Sequence, residues 1–477
     1  MPAPSPNPVR SVSAAERRRV ATATVIGTTI EWYDFFIYAN AAGLVFAQTY
    51  FAPAGESTAL LLSFATVGLS FLFRPLGAFL AGHFGDRIGR KRVLVATLLL
   101  MGGATTLVGL LPTYAQIGVA APVLLLLLRI LQGVSAGGEW GGAVLMAVEN
   151  APAARRGRYG AYPQIGVPLG MLLASGVLAL MSGVFARGDA FVDWGWRVPF
   201  LLSFVLLVVG VVVRRTVEES PVFRDIAARG ATTRVPVVRL FRHHALLVVL
   251  AALTFAGNNA AGYMTTGGFI QSYATRADGP LGMDRTAVLA SVSLAALVWL
   301  VTTFTAGVVS DRIGRRSTYV LGWVFLLVAI FPMFALVNTG EVVLLALGLS
   351  MFTIGTGLTY GPQAAFFSEL FPASIRFSGV SISYALGAIL GGAFAPTIAT
   401  ALVQRTGSLY TVGWYLTGIA LLGFAATLLI RDRRGIDLGP ENEEEQARNP
   451  IYGMHRGSTP AVRATVPAHA GKDDRPL

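Results

Sequence analysis

The chain contains no cysteine and few charged residues, and both absences narrow its possible functions. Without a cysteine among 477 residues there can be no disulfide, thiol nucleophile or cysteine-ligated metal. Charged residues make up 13% of the chain, about half the share that soluble domains carry. The five histidines form no cluster, and neither G-x-x-x-x-G-K-S/T nor H-E-x-x-H occurs. These absences disfavour ATP-driven pumping and intramembrane metalloprotease chemistry, and we expect no enzyme.

The chain is rich in long apolar segments. Hydrophobic residues make up 54% of the chain, and its mean hydropathy is +0.62. Apolar runs of about 20 residues, the length needed to cross the hydrocarbon of a bilayer, recur from end to end. The 54 glycines suit helices that pack closely in lipid. This pattern predicts an all-α membrane protein that spans the bilayer many times.

The apolar runs divide into twelve predicted transmembrane helices in two six-helix halves. Their approximate limits are 20–48, 57–82, 93–112, 119–147, 157–182, 196–213, 244–273, 286–310, 318–338, 341–368, 376–404 and 410–430. A basic loop, 214–243, separates an N-terminal half (20–213) from a C-terminal half (244–430). Residues 1–19 precede the first helix. The polar and then Pro/Ala/Gly-rich composition of 431–477 predicts a disordered tail.

Basic residues are unevenly distributed over the predicted loops. Arginine and lysine concentrate in alternate loops, of which 83–92, 214–243 and 311–317 are examples, and few lie in the others. Because basic loops stay on the cytoplasmic side, both termini are predicted to be cytoplasmic. The chain would then be a multi-pass protein of the inner (cytoplasmic) membrane. The same rule accounts for the net charge of +12, so we expect a lipid environment and no nucleic acid partner.

Two short motifs occur once in each half. The run GDRIGRK at Gly85–Lys91 returns as SDRIGRR at Ser310–Arg316. The pattern E-x-x-P-x-x-x-R that starts at Glu149 returns at Glu369, and its spacing of 220 residues matches the 225-residue spacing of the first repeat to within five residues. Two repeats in register indicate duplicated halves, which is how many secondary transporters are built.

The repeated charges lie at the predicted cytoplasmic ends of the helices. Carboxylates in such places can bind arginines and helix N-termini across a bundle. We interpret them as a latch that holds the inner face closed; the alternative is that they only set the topology. The predicted gating residues are Gly82, Asp86, Arg87, Gly89, Arg90, Glu149, Arg156, Asp311, Arg312, Arg315, Glu369 and Arg376.

Five ionisable residues of the N-terminal half lie at predicted membrane depth: Glu31, Asp34, Arg74, Arg129 and Glu139. Each costs at least about 2.5–3.5 kcal/mol at the centre of a bilayer unless it faces a partner or a water-filled cavity. Glu31 and Asp34 share one helical face, and we expect them, with Glu139, to carry a coupling proton. Arg74 and Arg129 are candidates for binding an anionic substrate. The alternative is a buried structural tether, for example between Arg74 and Glu139.

The C-terminal half offers neutral polar groups at the corresponding depth. Shifting the sequence by 225 residues places Asn259 opposite Asp34 and Trp299 opposite Arg74. We therefore predict an asymmetric cavity, with the coupling charge in one half and uncharged hydrogen-bonding groups in the other. The predicted substrate-binding residues are Arg74, Arg129, Tyr33, Asn258, Asn259, Tyr360, Gln363 and Tyr384.

The motifs resemble those of known transporters. The segment Gly82–Lys91 matches the G-x-x-x-D-R-x-G-R-K/R loop of the major facilitator superfamily. GTTIEWYDFFIY (Gly27–Tyr38), RILQGVSAGGEWGGA (Arg129–Ala143) and WGWRVPF (Trp194–Phe200) resemble the metabolite:H⁺ symporter family, which includes carriers of dicarboxylates, citrate, shikimate, and proline or betaine. The resemblance covers about residues 20–430 and implies the twelve-helix major facilitator fold.

The resemblance also implies a function. We expect a proton-coupled symporter that imports a small organic acid or a zwitterionic metabolite by alternating access. The proton would be the coupling ion, with no cofactor or metal, and the partners of a monomeric chain would be its small-molecule substrate and the bilayer. Two alternatives stay open: an exporter, antiporter or facilitator on the same fold, and a transporter-like sensor.

The variant Asp86→Asn tests the latch. Removing this charge should slow turnover, because the inner face would close less firmly, and should leave substrate affinity largely unchanged, because the residue lies away from the predicted binding site. Initial uptake rates over a range of substrate concentrations measure both quantities. An unchanged maximal rate with an altered half-saturating concentration would contradict the latch.

Overall fold

The computed structural model describes residues 14–452, apart from 89, 138, 216–235, 267, 277–278 and 449. Within these residues, the side-chain surroundings of 14–17, 81–94, 214–239 and 263–267 are not described. Residues 1–13 of the N-terminal segment, most of the central loop and the tail beyond residue 452 therefore lie outside the described residues. The side-chain surroundings of five predicted gating residues are also not described. These residues are Gly82, Asp86, Arg87, Gly89 and Arg90.

The described chain folds into a bundle of helices. They are α1 (Ala14–Ala41), α2 (Glu56–Ile88), α3 (Arg90–Leu110), α4 (Ala120–Ala136), α5 (Glu139–Glu149), α6 (Arg156–Leu180), α7 (Arg197–Arg215), α8 (Pro236–Thr266), α9 (Phe269–Thr275), α10 (Arg285–Ile313), α11 (Arg315–Val337), α12 (Val342–Tyr360), α13 (Gln363–Leu370), α14 (Arg376–Ala388), α15 (Ala395–Thr406), α16 (Tyr410–Leu429) and α17 (Glu443–Ala447). Single π-helical turns at Ala42–Phe46, Met181–Phe185 and Ile389–Ala393 extend α1, α6 and α14.

Ten helical stretches of the described chain are long and apolar enough to cross a membrane, and they coincide with ten of the twelve predicted segments. Of the other two segments, one contains the shorter apolar stretch Val95–Leu110 and the other is α1. Apolar side chains such as Val328 and Val343 point outward and are 70% and 78% exposed, as expected where lipid is the neighbour. The predicted all-α membrane class is confirmed.

Local sequence explains where helices begin and end. Gly314 joins α10 to α11 with φ +103°, a conformation that L side chains rarely adopt, so the chain can turn sharply between the two helices. Asp284 precedes α10, and its carboxylate accepts a hydrogen bond from the backbone N–H of Ala287 at 2.9 Å. That contact satisfies one of the unpaired N–H groups of the first helical turn.

The two halves meet along two pairs of helices. Helix α6 of the N-terminal half packs along α10 of the C-terminal half, and α2 packs against the turn Ile389–Ala393 and α15. These pairs occupy corresponding places in the two halves, in agreement with the repeated sequence motifs. Within the N-terminal half, α1 packs against α6 and α7, and every residue from Glu31 to Ala42 is buried. The site that these packed helices enclose lies between the halves.

The chain after α16 folds back onto the bundle. The predicted disorder is wrong for the described residues between 431 and 452, where Ile451 forms a bridge with Ile430 and residues Glu443–Ala447 form the short helix α17. Composition failed here because Leu438 and Ile451, two of the few apolar residues of the segment, stand singly in the sequence and yet are buried. We call this segment the C-terminal clasp (residues 431–452).

Two glycines near the α4–α5 junction test the close packing of this region on α2. A Cβ on Gly137 would overlap the carbonyl oxygen of Arg74, whereas a Cβ on Gly142 would meet nothing within 4 Å. Gly137→Ala should lower the free energy of unfolding by about 1–3 kcal/mol through overpacking. Gly142→Ala should leave it unchanged or raise it by about 0.5–1 kcal/mol. Thermal unfolding in detergent measures both, and equal melting temperatures would contradict the close packing.

Candidate functional site

A cavity lies between the two halves, with walls from α1, α6, α8, α10, α12 and α14. The free space inside it is small in this closed arrangement, about 10 Å³, which is the room that about one water molecule needs. Its lining residues are Trp32, Phe36, Val167, Phe255, Asn258, Asn259, Gly262, Trp299, Tyr360 and Tyr384. Most of these side chains are aromatic, and large rigid rings with a few polar atoms are typical of small-molecule sites.

Four of the lining rings carry a polar atom that has no hydrogen-bond partner within the described structure. These atoms are the indole nitrogens of Trp32 and Trp299 and the hydroxyls of Tyr360 and Tyr384, and all four are buried. The two tyrosine hydroxyls lie close to each other. A buried polar atom without a partner costs about 1–3 kcal/mol. The four atoms are therefore placed to bind a ligand or water that enters the cavity.

A stack of three rings joins the halves beside the cavity. Tyr384 lies between Trp140 and Phe255, with ring centroids 3.7 Å and 4.2 Å away. The Trp140 indole N–H donates to the side-chain oxygen of Gln164 at 3.0 Å, and the Gln164 amide donates to the carbonyl of Tyr360 at 3.1 Å. At these separations nothing fits between the rings, so they close this side of the cavity.

Arg74 and Glu31 lie beside the same wall. Both are buried, at 5% and 4% exposure, and both are near enough to Tyr384 to act electrostatically on its hydroxyl. The Arg74 guanidinium lies over the rings of Phe71 and Trp32, 4.4 Å and 5.8 Å from their centroids. Its Nε has no hydrogen-bond partner among the described residues. Ring faces thus hold this cation and leave a donor for an anion.

Asp34 is the most deeply buried of the three predicted proton-coupling residues. It is 1% exposed, and its Oδ1 accepts no hydrogen bond from a described residue. The hydroxyls of Thr105 and Ser203 face it, and no ion pair connects it to any residue that the structure describes. Glu139, at the start of α5, is also buried. Asp34 and Glu139 lie behind the lining residues rather than among them.

The two neighbouring asparagines of α8, both predicted substrate contacts, line the cavity. The Asn258 amide donates to the carbonyl of Thr356 at 2.9 Å and to the hydroxyl of Thr359. The Asn259 amide donates to the carbonyl of Ala388 at 3.3 Å. These bonds fix the amide groups to α12 and α14, so their orientation toward the cavity is set before a ligand arrives.

Arg129 lies elsewhere, although the sequence predicts it as a substrate contact. Its guanidinium donates to the backbone carbonyls of Thr66 and Val67, at 3.2 Å and 3.3 Å, and to the side-chain oxygen of Gln132 at 2.9 Å. It also lies against the ring of Tyr38, 4.1 Å from the centroid. Since protein groups occupy these donors and the residue does not line the cavity, Arg129 ties α4 to α2.

Two further predicted contacts are not among the residues that line the cavity. The hydroxyl of Tyr33 donates to the carbonyl of Pro199 at 2.8 Å and so connects α1 to α7. Gln363, the first residue of α13, is fully buried outside the lining, and neither polar atom of its amide has a hydrogen-bond partner in the described chain. Sequence position predicted the depth of these residues but not the direction in which their side chains point.

Charged residues of both halves converge at one end of the bundle, which we call the basic face. Its residues are Glu149, Arg156, Asp311, Arg315, Glu369 and Arg376. Arg315 pairs with Asp311 at 2.6 Å and with Glu369 at 3.2 Å within the C-terminal half. All of these side chains belonged to the predicted latch.

Several contacts at the basic face cross between the halves. Arg376 donates to Glu149 at 3.1 Å, and Arg156 lies 3.7 Å from Glu369. The Asp311 carboxylate accepts the backbone N–H groups of Gly157 at 2.7 Å and of Arg158 at 2.8 Å. It therefore caps the N-terminus of α6 from the opposite half, as expected for a carboxylate at the positive end of a helix.

The halves also touch at the end opposite the basic face. The side-chain amide of Gln271 donates to the side-chain oxygen of Asn40 at 2.8 Å, and that of Gln404 donates to the carbonyl of Ser57 at 3.2 Å. Nearby hydroxyls of Ser175 and Ser293 share a hydrogen bond of 2.9 Å. The cavity is therefore closed by contacts between the halves on both sides.

Sequence reasoning missed most of the aromatic wall. Trp32, Phe36, Phe255 and Trp140 contribute rings to the site, and Trp299 was singled out only as the counterpart of Arg74. Aromatic residues at helical spacing usually belong to a core, so their spacing carries no sign of a cavity. The available signal was the indole N–H of a tryptophan at membrane depth, which needs a partner.

Comparison with known proteins agrees with this architecture. The chain matches the family model of the Major Facilitator Superfamily over residues 24–387. It is 41% identical over 425 residues to the inner membrane metabolite transport protein YhjE of Escherichia coli strain K12, covering 88% of this chain and 95% of that protein. It is 35% identical over 436 residues to the shikimate transporter of the same organism, covering 88% and 96%.

A solved structure shows the same fold. The proton:xylose symporter XylE, bound to 6-bromo-6-deoxy-D-glucose, superposes with a TM-score of 0.71 at 17% sequence identity, covering 89% of this chain and 98% of that chain. The helical bundle, the cavity between its halves and the match over most of the sequence lead to one conclusion. The chain belongs to the Major Facilitator Superfamily and is a multi-pass membrane transporter rather than an enzyme.

Proposed function

We propose that the protein is a proton-coupled symporter that imports a small organic acid by alternating access. The observation that carries this proposal is the setting of Asp34, a fully buried carboxyl group with no cation beside it in the described structure. Two hydroxyls face this carboxyl group, but a buried carboxylate without a cation beside it is costly. A group of this kind can take up a proton on one side of the membrane and release it when water reaches it from the other.

Arg74 and Glu31 would couple the proton to the substrate. A carboxylate substrate in the cavity would pair with the Arg74 guanidinium, beside the wall that also faces Glu31. The added negative charge disfavours a charged Glu31, so substrate binding and proton uptake promote each other. That sign of coupling is the one that symport requires, since substrate and proton then cross together.

The four unpartnered donors favour a substrate with several acceptor oxygens. Trp32 projects from one half and Trp299 from the other, so acceptors are needed on opposite sides of the ligand. A hydroxylated carboxylic acid meets this requirement better than a betaine, because a quaternary ammonium group accepts no hydrogen bond. The relative named as a shikimate transporter supports an organic acid. The aromatic rings are also able to hold a cation, so a zwitterion is the second candidate.

The membrane orientation is part of the proposal. Counting α1 and α3 gives twelve spans, and the concentration of arginine at the basic face supports its placement in the cytoplasm. Both termini would then be cytoplasmic, and the name of the relative from Escherichia coli supports the inner membrane. The protein would act as a monomer, with the cavity closed to both sides until the contacts at one face break.

Neutralising the two carboxyl groups of α1 tests the coupling. In vesicles with acid outside, Glu31→Gln and Asp34→Asn should each abolish substrate accumulation, because neither amide can carry the proton, while exchange of labelled for unlabelled substrate is retained. The substrate to use is the compound with the largest thermal shift in a screen of hydroxylated carboxylates and betaines. Asp284→Asn is the matched control, since asparagine caps α10 as well as aspartate does.

The direction of transport is read from the same vesicles. Accumulation by the unmodified protein with acid outside supports import, and expulsion of preloaded substrate identifies an antiporter instead. Unchanged accumulation in both the Glu31 and the Asp34 variants would contradict the proposal that these residues carry the coupling proton.

A matched pair of tyrosines tests the binding site. The hydroxyls of Tyr360 and Tyr319 are both buried without a partner in the described structure, but only Tyr360 lines the cavity. Tyr360→Phe should raise the Kd of the substrate about 3- to 10-fold through the loss of one hydrogen bond. Tyr319→Phe should leave it unchanged. Calorimetric titration measures both constants, and equal effects of the two substitutions would remove Tyr360 from the site.

A further inference from the structure

The C-terminal clasp is built into the basic face rather than resting on it. Its Asp432 accepts the backbone N–H of Arg316 at 3.1 Å, and the Arg434 guanidinium donates to the carbonyl of Arg312 at 2.6 Å. The carbonyl of Leu438 accepts a hydrogen bond from Arg376 at 3.0 Å. These contacts all belong to the C-terminal half, of which the clasp is the direct continuation.

One residue of the N-terminal half also binds the clasp. The Arg156 guanidinium, at the start of α6, donates to the carbonyl of Ile436. The carboxylate of the next residue, Asp437, is near enough to attract the same guanidinium. Since the clasp is anchored to the other half, the contact with Arg156 crosses the interface that has to open for alternating access.

Gln446 holds the clasp in the shape that reaches Arg156. Its side-chain nitrogen donates to the carbonyls of Asp437 and Gly439, both at 2.7 Å. Its side-chain oxygen accepts the backbone N–H of Ala373 at 2.8 Å and the Arg376 guanidinium at 2.9 Å. The residue is 2% exposed, and glutamine has no further bond to make there. One buried amide therefore fixes the loop that follows Ile436 to the bundle.

We propose that the clasp is a conformational brake that stabilises the closed state of the basic face. Contacts between the clasp and its own half persist in every state and resist no movement between the halves. The contacts of Arg156 with Ile436 and Asp437 exist only while the basic face is closed. Each opening of this face has to break them, so the clasp lowers the population of molecules that are open there, whatever the substrate or the coupling ion.

The brake is tested by the accessibility of a single cysteine, for which the cysteine-free chain needs no prior engineering. Ala364 is fully buried in α13 and faces Gly160 of the opposite half, so Ala364→Cys reports on opening of the basic face. The variant Gln446→Ala should make this cysteine react with N-ethylmaleimide about 10- to 100-fold faster, the effect of losing one hydrogen bond to a charged group. Asp437→Asn, which leaves the backbone bonds in place, should give a smaller increase.

The matched control is Glu444→Ala, because Glu444 is an exposed residue of the same short helix. It should leave the alkylation rate of the cysteine at position 364 unchanged. Equal rates in the Gln446 and Glu444 variants would overturn the brake.

A second reporter separates opening from unfolding. A cysteine introduced as Ser293→Cys reports on the opposite face, because Ser293 contacts Ser175 of the other half there. With the brake released, its alkylation rate should stay constant or fall, because opening of one face favours closure of the other. A rise at both reporters would mean general loosening and would also overturn the proposal. Neither measurement needs a substrate or a pH gradient, so the outcome is independent of the proposed symport.

Discussion

A charge inside a bilayer has to be paired, enclosed by polar groups or neutralised, and the arrangement of this bundle follows from that constraint. At the basic face, arginines and carboxylates pair within and between the halves, as Arg376 does with Glu149. Arg129 is enclosed instead, since backbone carbonyls of α2 accept hydrogen bonds from its guanidinium. Arg74 and Asp34 each keep a buried polar atom without a hydrogen-bond partner in the described part of the chain, and the proposed function assigns both to transport.

The two halves place similar charges at the basic face but different groups around the cavity. Their repeated motifs place similar charges at the basic face, where Asp311 caps a helix of the opposite half. Around the cavity the N-terminal half provides Glu31 and Arg74, whereas the C-terminal half provides neutral donors such as Trp299 and Tyr360. Under the proposed symport, only the N-terminal half would change its charge while the two halves move against each other.

The C-terminal clasp adds a third element to the closed state. It is a covalent extension of one half that binds an arginine of the other, and Gln446 shapes it from within. Contacts that differ between two conformations change their populations, and contacts that persist in both do not. The basic face is thus closed by direct pairs between the halves and by the C-terminal clasp. The contacts of the clasp can be removed without removing those direct pairs.

The sequence by itself determined the class of protein, ten of the apolar helices, the two halves and the charges at their shared face, because hydrophobic length and repeated motifs are local properties of the chain. It also identified Arg74, Asn258, Tyr360 and Tyr384 as groups of the interior. Only the tertiary structure decided that Arg129 and Tyr33 turn away from the cavity, that tryptophans form its wall and that residues 431–452 fold. Those outcomes depend on which partner each side chain meets across helices that are distant in sequence, and neither composition nor periodicity contains that information.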